Sequence, residues 1–394
     1  MSALCGFVAR RLWHFASIAL QQDMTTRSPD KTPHDMSLTG AGDRSSPMLD
    51  FIREDAPDAG SVTEIASGIF WLRMPLPMAG LNHINLWILK DGDGWAVIDT
   101  GIGSRDCKKI WDKALKSVTQ GQPVTKVICT HLHPDHTGLA GWLCRKYDAP
   151  LYMTRGEYFL CRLMAADTGN PAPEHALKFY ERAGFTEPQI ELYKQRFGGF
   201  GKAITPMPEG FTRIEDGQTL SVNGEDWTIL VGAGHSPEHA CLFNAARNIC
   251  MTGDQLLPNI SSNVSVWPTE PEGNPMQDWI DSCYMLRLRL PEDVLICPAH
   301  GIPFRGAYKR LDKLIEHHEK ALARLYDFCK TPKLSTEVYS CLFRREINDG
   351  NRIMAVGESI AHLSCLIARG KMTRRINDAG QFTYKSIAPG RVFA

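Results

Sequence analysis

The apolar positions of this chain change period along its length. VTKVICT (124–130), WTILVG (227–232), NICMTG (248–253) and DVLICP (293–298) are short runs rich in Val, Ile and Leu. Each stops at a Gly- or Pro-bearing turn, which predicts buried β-strands. Between the first and second runs the spacing becomes helical. TRGEYFLCRLMAA (154–166), PEHALKFYERAG (173–184) and EPQIELYKQRFGGFG (187–201) predict three helices, the last stopped by its glycines. Past Gly306 helical spacing returns at 307–330, 335–346 and 356–370, and two short strands then flank a turn at Asn377–Gly380.

The chemistry gathers where the strand runs end. THLHPDHTGLAG (130–141) places His131, His133, Asp135 and His136 within six positions, on a turn marked by Pro134 and Gly138. Neither a helical nor a strand period explains that spacing. His235, Asp254 and His300 each follow one of the other three runs. Imidazole nitrogens and carboxylate oxygens are ligands of divalent cations, and three protein ligands with an open position mark a catalytic site. Four candidates on one loop exceed one such site and are too few for two, so strands lying side by side must bring further ligands to it.

The order His131-x-His133-x-Asp135-His136, then His235, Asp254 and His300, resembles the metallo-β-lactamase fold superfamily, in particular its glyoxalase-II-like hydrolases. The likeness extends over about residues 62–305. It implies an α+β fold, an αββα four-layer sandwich of two mixed sheets with helices outside. It also implies two divalent cations, zinc foremost, with manganese or iron as alternatives. His131, His133 and His235 would hold one; Asp135, His136 and His300 the other; Asp254 would bridge them. WAVIDTGI (95–102) matches the family's early strand and turn, where Asp99 would support the metal loop. Glu238 departs from the pattern, standing where the family often has glycine.

Two cations of this kind activate a bridging water and polarise a carbonyl or phosphoryl oxygen. Asp135 is the candidate catalytic residue, able to orient that water or shuttle its proton. The Pro- and Asn-rich stretch 256–275 is too long for an idle connection. It is the expected substrate loop, with Asn263 and Trp267 as its recognition residues. His83 is a further pocket candidate or a core histidine. His239 reads as structural, whereas His317 and His318 fall in a charged helical stretch and are expected in solvent.

Composition narrows the function classes. With 394 residues the chain exceeds an ordinary single domain. The expected division is an N-terminal extension at 1–47, disordered or targeting-like, a catalytic domain at 48–305, and a helical, winged-helix-like module at 306–394. Lys and Arg total 44 against 44 Asp and Glu, so no global field draws nucleic acid or an anionic membrane. The module is the exception, with 16 basic against 9 acidic residues. It is expected to cover the active-site mouth or join a homodimer. The twelve cysteines include no C-x-x-C pair, and several sit in strand runs. They read as reduced small hydrophobes, which favours the cytoplasm, and no apolar run is long enough to span a membrane.

The resulting expectation is a hydrolase of a small acyl substrate, a thioester, ester or lactone, that uses a metal-bridging hydroxide. A metal-dependent nuclease of RNA or DNA is the alternative; an iron-dependent sulfur dioxygenase-like enzyme is the third reading. Asp254, where a cysteine would stand in the best-known antibiotic-hydrolysing class, argues against penicillinase activity.

Overall fold

The structure, a computed structural model, describes residues 49–78 and 81–388. The extension expected at 1–47 lies outside the described residues. The chain begins with β1 (Asp50–Phe51), β2 (Val62–Ala66), β3 (Ile69–Met78), β4 (Leu81–Asp91) and β5 (Gly94–Ile98). Next come α1 (Arg105–Thr119), β6 (Val124–Ile128), α2 (Pro134–Thr137), α3 (Ala140–Tyr147) and β7 (Leu151–Met153). The expected helical insertion follows as α4 (Arg155–Ala166), α5 (Glu174–Ala183) and α6 (Glu187–Arg196).

Five strands then precede the next long helix: β8 (Thr212–Arg213), β9 (Thr219–Val222), β10 (Glu225–Gly232), β11 (His239–Asn244) and β12 (Ile249–Gly253). After α7 (Pro275–Arg289), β13 (Leu295–Pro298) and β14 (Phe304–Arg305) complete two seven-stranded sheets. One has the order β2-β3-β4-β5-β6-β7-β8, the other β1-β14-β13-β12-β11-β10-β9.

Side chains alternate across each strand, and the alternation builds three apolar layers. Trp71, Trp87, Ile98, Ile128, Trp227, Leu242 and Met251 fill the space between the sheets. Leu72, Leu86, Val97 and Val127 face the other way, onto Trp111 and Leu115 of α1 and Leu143 of α3. On the second sheet Leu230, Cys241, Cys250 and Ile296 pack against Trp279 of α7 and Leu311 of α8 (Ala307–Phe328). The result is a helix, sheet, sheet, helix sandwich. Local sequence agrees with it: Ser104 caps α1 by accepting the Cys107 N–H at 3.1 Å, and Cys107, Trp111, Ala114 and Leu115 form the helix's buried stripe.

The C-terminal end comprises α8, β15 (Lys333–Leu334), α9 (Tyr339–Leu342), α10 (Arg352–Ala368), β16 (Met372–Ile376) and β17 (Phe382–Ser386). The last two strands pair antiparallel as the expected hairpin, with β15 as a third strand. Two expectations are corrected here. The helix expected at 335–346 is only the four-residue α9, because Leu334 and Glu337 form a turn before it and Phe343 is extended after it. His318 is fully buried and His317 half-buried, since α10 packs against α8 and brings the His318 and His362 rings within 5.6 Å. Leu322, Val356, Leu363 and Tyr384 share one apolar cluster with Leu230 and Ile296 of the second sheet. The eleven described cysteines are free thiols, ten of them buried.

Candidate metal centre

Strand direction brings the distant segments together. β10 and β12 are both antiparallel to β11, and β13 is parallel to β12, so all three point the same way. His235, Asp254 and His300 therefore emerge at one end of their sheet. β5 and β6 run parallel in the other sheet and deliver Asp99 and the 131–136 turn to the same rim. Cross-sheet bonds hold the rim: the Ala240 N–H donates to the Thr130 oxygen at 2.8 Å, and the Asn85 N–H to the Ala299 oxygen at 2.6 Å.

All seven expected donors converge. His131, His133, His235 and Asp254 form one group, and Asp135, His136 and His300 another, each with its ligand atoms within 4.8 Å of one another. Asp254 lies between the groups. Its Oδ2 is 3.4 Å from His235 Nε2 and 3.6 Å from His136 Nε2, while Oδ1 is 3.3 Å from His300 Nε2. Nε2 of His131 and Nδ1 of His133 point at one spot, 2.8 Å apart.

The outer nitrogen of several rings is committed elsewhere. His136 Nδ1 lies 2.8 Å from Asp99 Oδ2, His235 Nδ1 2.7 Å from the Asn263 oxygen, and His300 Nδ1 2.8 Å from the His83 oxygen. Each acceptor fixes the proton on Nδ1 and leaves the Nε2 lone pair facing inward. His239 sits behind the site and accepts the Asp254 N–H at 3.0 Å. Gly253 has φ +50°, and a Cβ there would come within 2.6 Å of the His239 ring. His83 accepts the Gly301 N–H on Nε2 at 3.0 Å, and burial, with Arg73 and His300 nearby, pushes its pKa down to about 3.

The expected substrate loop is pinned to this centre. The Ser262 hydroxyl donates to the main-chain oxygen of Asp254, and Arg310 holds the main-chain oxygens of Leu257 and Ile260 at 2.6 and 2.7 Å. Asn263 spends its side chain on Glu358 and Ser265. Trp267 is 38 % exposed.

Glu157 of α4 and Thr130 support this centre and do not stand among the residues expected from the sequence. The fully buried Glu157 carboxylate accepts the Leu132 N–H at 2.9 Å and the Glu238 N–H at 2.7 Å, tying the two loops that carry His131, His133 and His235. Burial raises its pKa against those bonds and the Ser236 hydroxyl. Glu238, the departure from the family pattern, anchors its turn through its side chain: Oε2 accepts the Gly156 N–H at 2.8 Å in the first turn of α4. Thr130 donates its N–H and hydroxyl to Asp99 and contacts His131 Nδ1. An acidic residue in the first turn of an amphipathic helix carries no sequence signal of burial, so Glu157 was not legible.

The donor set fits cations. Buried polar atoms are ordinarily paired, yet Nε2 of His136, His235 and His300 and Oδ1 of Asp254 are buried without a hydrogen-bond partner among the described residues. Asp99, Asp135 and Asp254 also add three carboxylates to a site shielded from water, where uncompensated charge is costly. Burial alone would raise Asp135, but the His136 and His300 rings outweigh it and hold its pKa at about 2.

The fold and this constellation place the chain in a known family. Residues 79–300 match the metallo-beta-lactamase superfamily and residues 322–387 the metallo-beta-lactamase-like C-terminal domain. The chain belongs to the metallo-beta-lactamase superfamily. Its fold is similar to the crystal structure of a beta-lactamase domain protein from Burkholderia ambifaria, 35% identical, with a TM-score of 0.78 over 86% of this chain and 98% of that one. It is 22% identical over 319 residues to a protein described as probable metallo-hydrolase YqjP of Bacillus subtilis, covering 77% of this chain and 93% of that protein. Two further relatives carry thioesterase names. Atrochrysone carboxyl ACP thioesterase of Aspergillus fumigatus is 25% identical over 66% of this chain, and acyl-coenzyme A thioesterase MBLAC2 of Homo sapiens 24% identical over 48%. The chain covers 48% and 64% of their lengths.

Proposed function

We propose that this protein is a metal-dependent hydrolase of a small acyl substrate, with acyl thioesters as the preferred class. The observation that carries the reading is the convergence of unpartnered, buried donor atoms from His136, His235, His300 and Asp254 on one centre. His131, His133 and His235 would hold one divalent cation and Asp135, His136 and His300 a second, with Asp254 shared; zinc suits this nitrogen and oxygen set. Bound cations supply a Lewis acid for the carbonyl and an activated water as nucleophile.

The chain's own groups do the remaining work. Asp99, the Asn263 oxygen and the His83 oxygen keep three imidazoles in one tautomer and aim them. Asp135, the most exposed of the three carboxylates at 15% against 11% for Asp254 and 2% for Asp99, would orient the attacking water or pass on its proton. We assign the acyl chain to Trp267, an exposed ring four positions after Asn263 on the same loop.

The thioester preference rests on the two thioesterase-named relatives and on a hydrolytic centre that needs no serine or cysteine nucleophile. The glyoxalase-II-like reading belongs to the same chemistry. The winged-helix-like reading of residues 306–394 rests on its helices and terminal hairpin, and we assign this end to covering the site rather than to nucleic acid. No described helix is long and apolar enough to cross a membrane. Metal analysis followed by a panel of acyl-coenzyme A thioesters, esters, lactones and short RNAs tests the proposal. Chelator-sensitive thioester hydrolysis is expected; activity confined to RNA would replace this reading with a nuclease.

A further inference from the structure

We propose that α10, in the C-terminal segment, is a working part of the metal centre: Glu358 acts through Asn263 as a positioning residue for His235. The inference rests on the metal-centre reading above and extends it to a residue far along the chain.

The connection is a short series of contacts. His235 Nδ1 donates to the main-chain oxygen of Asn263 at 2.7 Å. Asn263 is fixed at both ends of its carboxamide: Nδ2 donates to Glu358 Oε2 at 2.8 Å, and Oδ1 accepts the Ser265 hydroxyl at 2.7 Å. With the side chain clamped, the peptide that carries the acceptor for His235 has little room to turn. Each link is a hydrogen bond between groups of which at least one is buried, and none depends on a surface ion pair.

The helix that carries Glu358 sits against this segment without slack. The Val266 N–H donates to the Gly357 oxygen at 3.1 Å, and the Ser265 hydroxyl lies 3.3 Å from the Met354 oxygen. A Cβ on Gly357 would come within 2.8 Å of the Ser265 side chain, so this close approach requires glycine. A shift of α10 therefore moves residues 263–266, and with them the support of His235.

Glu358 is also costly where it stands. It is 2% exposed, and its helix buries nearly every residue from Ala355 to Leu366. Burying a carboxyl there is unfavourable unless it is hydrogen-bonded, and an apolar residue would pack at lower cost. The one hydrogen-bond partner of its carboxyl among the described residues is Asn263. Burial pushes its pKa up to about 8 against that bond, so near neutral pH the group is mostly the uncharged acid. An uncharged acid still accepts the Asn263 amide, and a glutamine in its place can do the same.

The test measures cation binding to the full chain, with zinc and cobalt(II) as probes, by competition against a chromophoric chelator and by the cobalt visible spectrum. Glu358→Leu removes the acceptor at similar bulk; it is expected to weaken the cation held by His131, His133 and His235 about tenfold and to shift its cobalt bands, while Glu358→Gln stays within about twofold of wild type. The Asp135, His136 and His300 cation is expected to be unaffected. If Glu358→Leu fails to fold, Ser265→Ala loosens the same carboxamide from its other end and is expected to weaken the same cation about threefold. Tight wild-type binding with wild-type affinity and spectrum in Glu358→Leu, or in Ser265→Ala where that variant stands in, overturns the inference alone. Wild-type protein that binds no cation overturns the metal-centre reading and the inference together.

Discussion

Asp99 Oδ2 lies 2.8 Å from Nδ1 of His136, and the same carboxylate accepts the Thr130 N–H and hydroxyl. Asp99 reaches this position with φ +58°, a conformation that Asp and Asn tolerate better than most residues. Asp99→Asn therefore keeps the turn and one carbonyl oxygen for the Thr130 N–H and hydroxyl, but the atom facing His136 Nδ1 becomes an NH2 donor and that imidazole loses its acceptor. The expected outcome is a cation affinity at the Asp135, His136 and His300 set that falls about 10- to 100-fold. Chelator competition measures it, and a melting temperature near wild type shows that the fold is intact.

Glu157 serves the first set in a different way, by joining two loops. Glu157→Ala would leave the Leu132 and Glu238 N–H groups buried without an acceptor. Each such group costs about 1–3 kcal/mol, so a loss of roughly 3 kcal/mol is expected in urea denaturation. Glu157→Gln retains one acceptor and is expected to lose less. Equal stability of the two variants would show that the carboxylate does not clamp both loops.

The ligand positions were legible because each follows a strand run that is apolar on both faces and ends in a turn. Such runs can only be buried, and buried parallel strands present their ends together. Asp99 was legible through the family likeness of WAVIDTGI. Glu157 and Glu358 were not, since both sit in helices whose burial is decided by distant partners. Glu358 did leave a trace: VGESIAHLSCLIARG carries Glu358 and His362 four residues apart in an otherwise apolar helix, a spacing that puts both on one face. His318, expected in solvent, is buried for the same reason: the α10 surface that covers it lies more than thirty positions away. Of the three insertion helices, only α4 reaches the centre; α5 and α6 pack in the apolar cluster of the second sheet and the C-terminal end.

Glu358 also predicts a pH signature. Its pKa rises from an ordinary 4.5 to about 8 in the folded protein. Across that window the folded state holds a proton that the unfolded state has lost, so this group's contribution to stability falls as pH rises. His362, pushed down to about 4 by burial, and His318, pushed well down, work in the opposite sense below their ordinary values. Comparison with Glu358→Gln cancels the histidines. In urea denaturation of metal-stripped protein, the variant is expected to gain on wild type steadily between about pH 5 and pH 8. A constant difference across that range would contradict the assignment.

The most direct test is the cation content of wild type and Asp254→Ala, paired with their turnover of an acyl thioester. Asp254 stands between the two donor sets, so the expected result is two cations per wild-type chain, one or none in the variant, and loss of nearly all hydrolysis with an unchanged circular dichroism spectrum. A variant that keeps both cations and wild-type turnover would contradict the account.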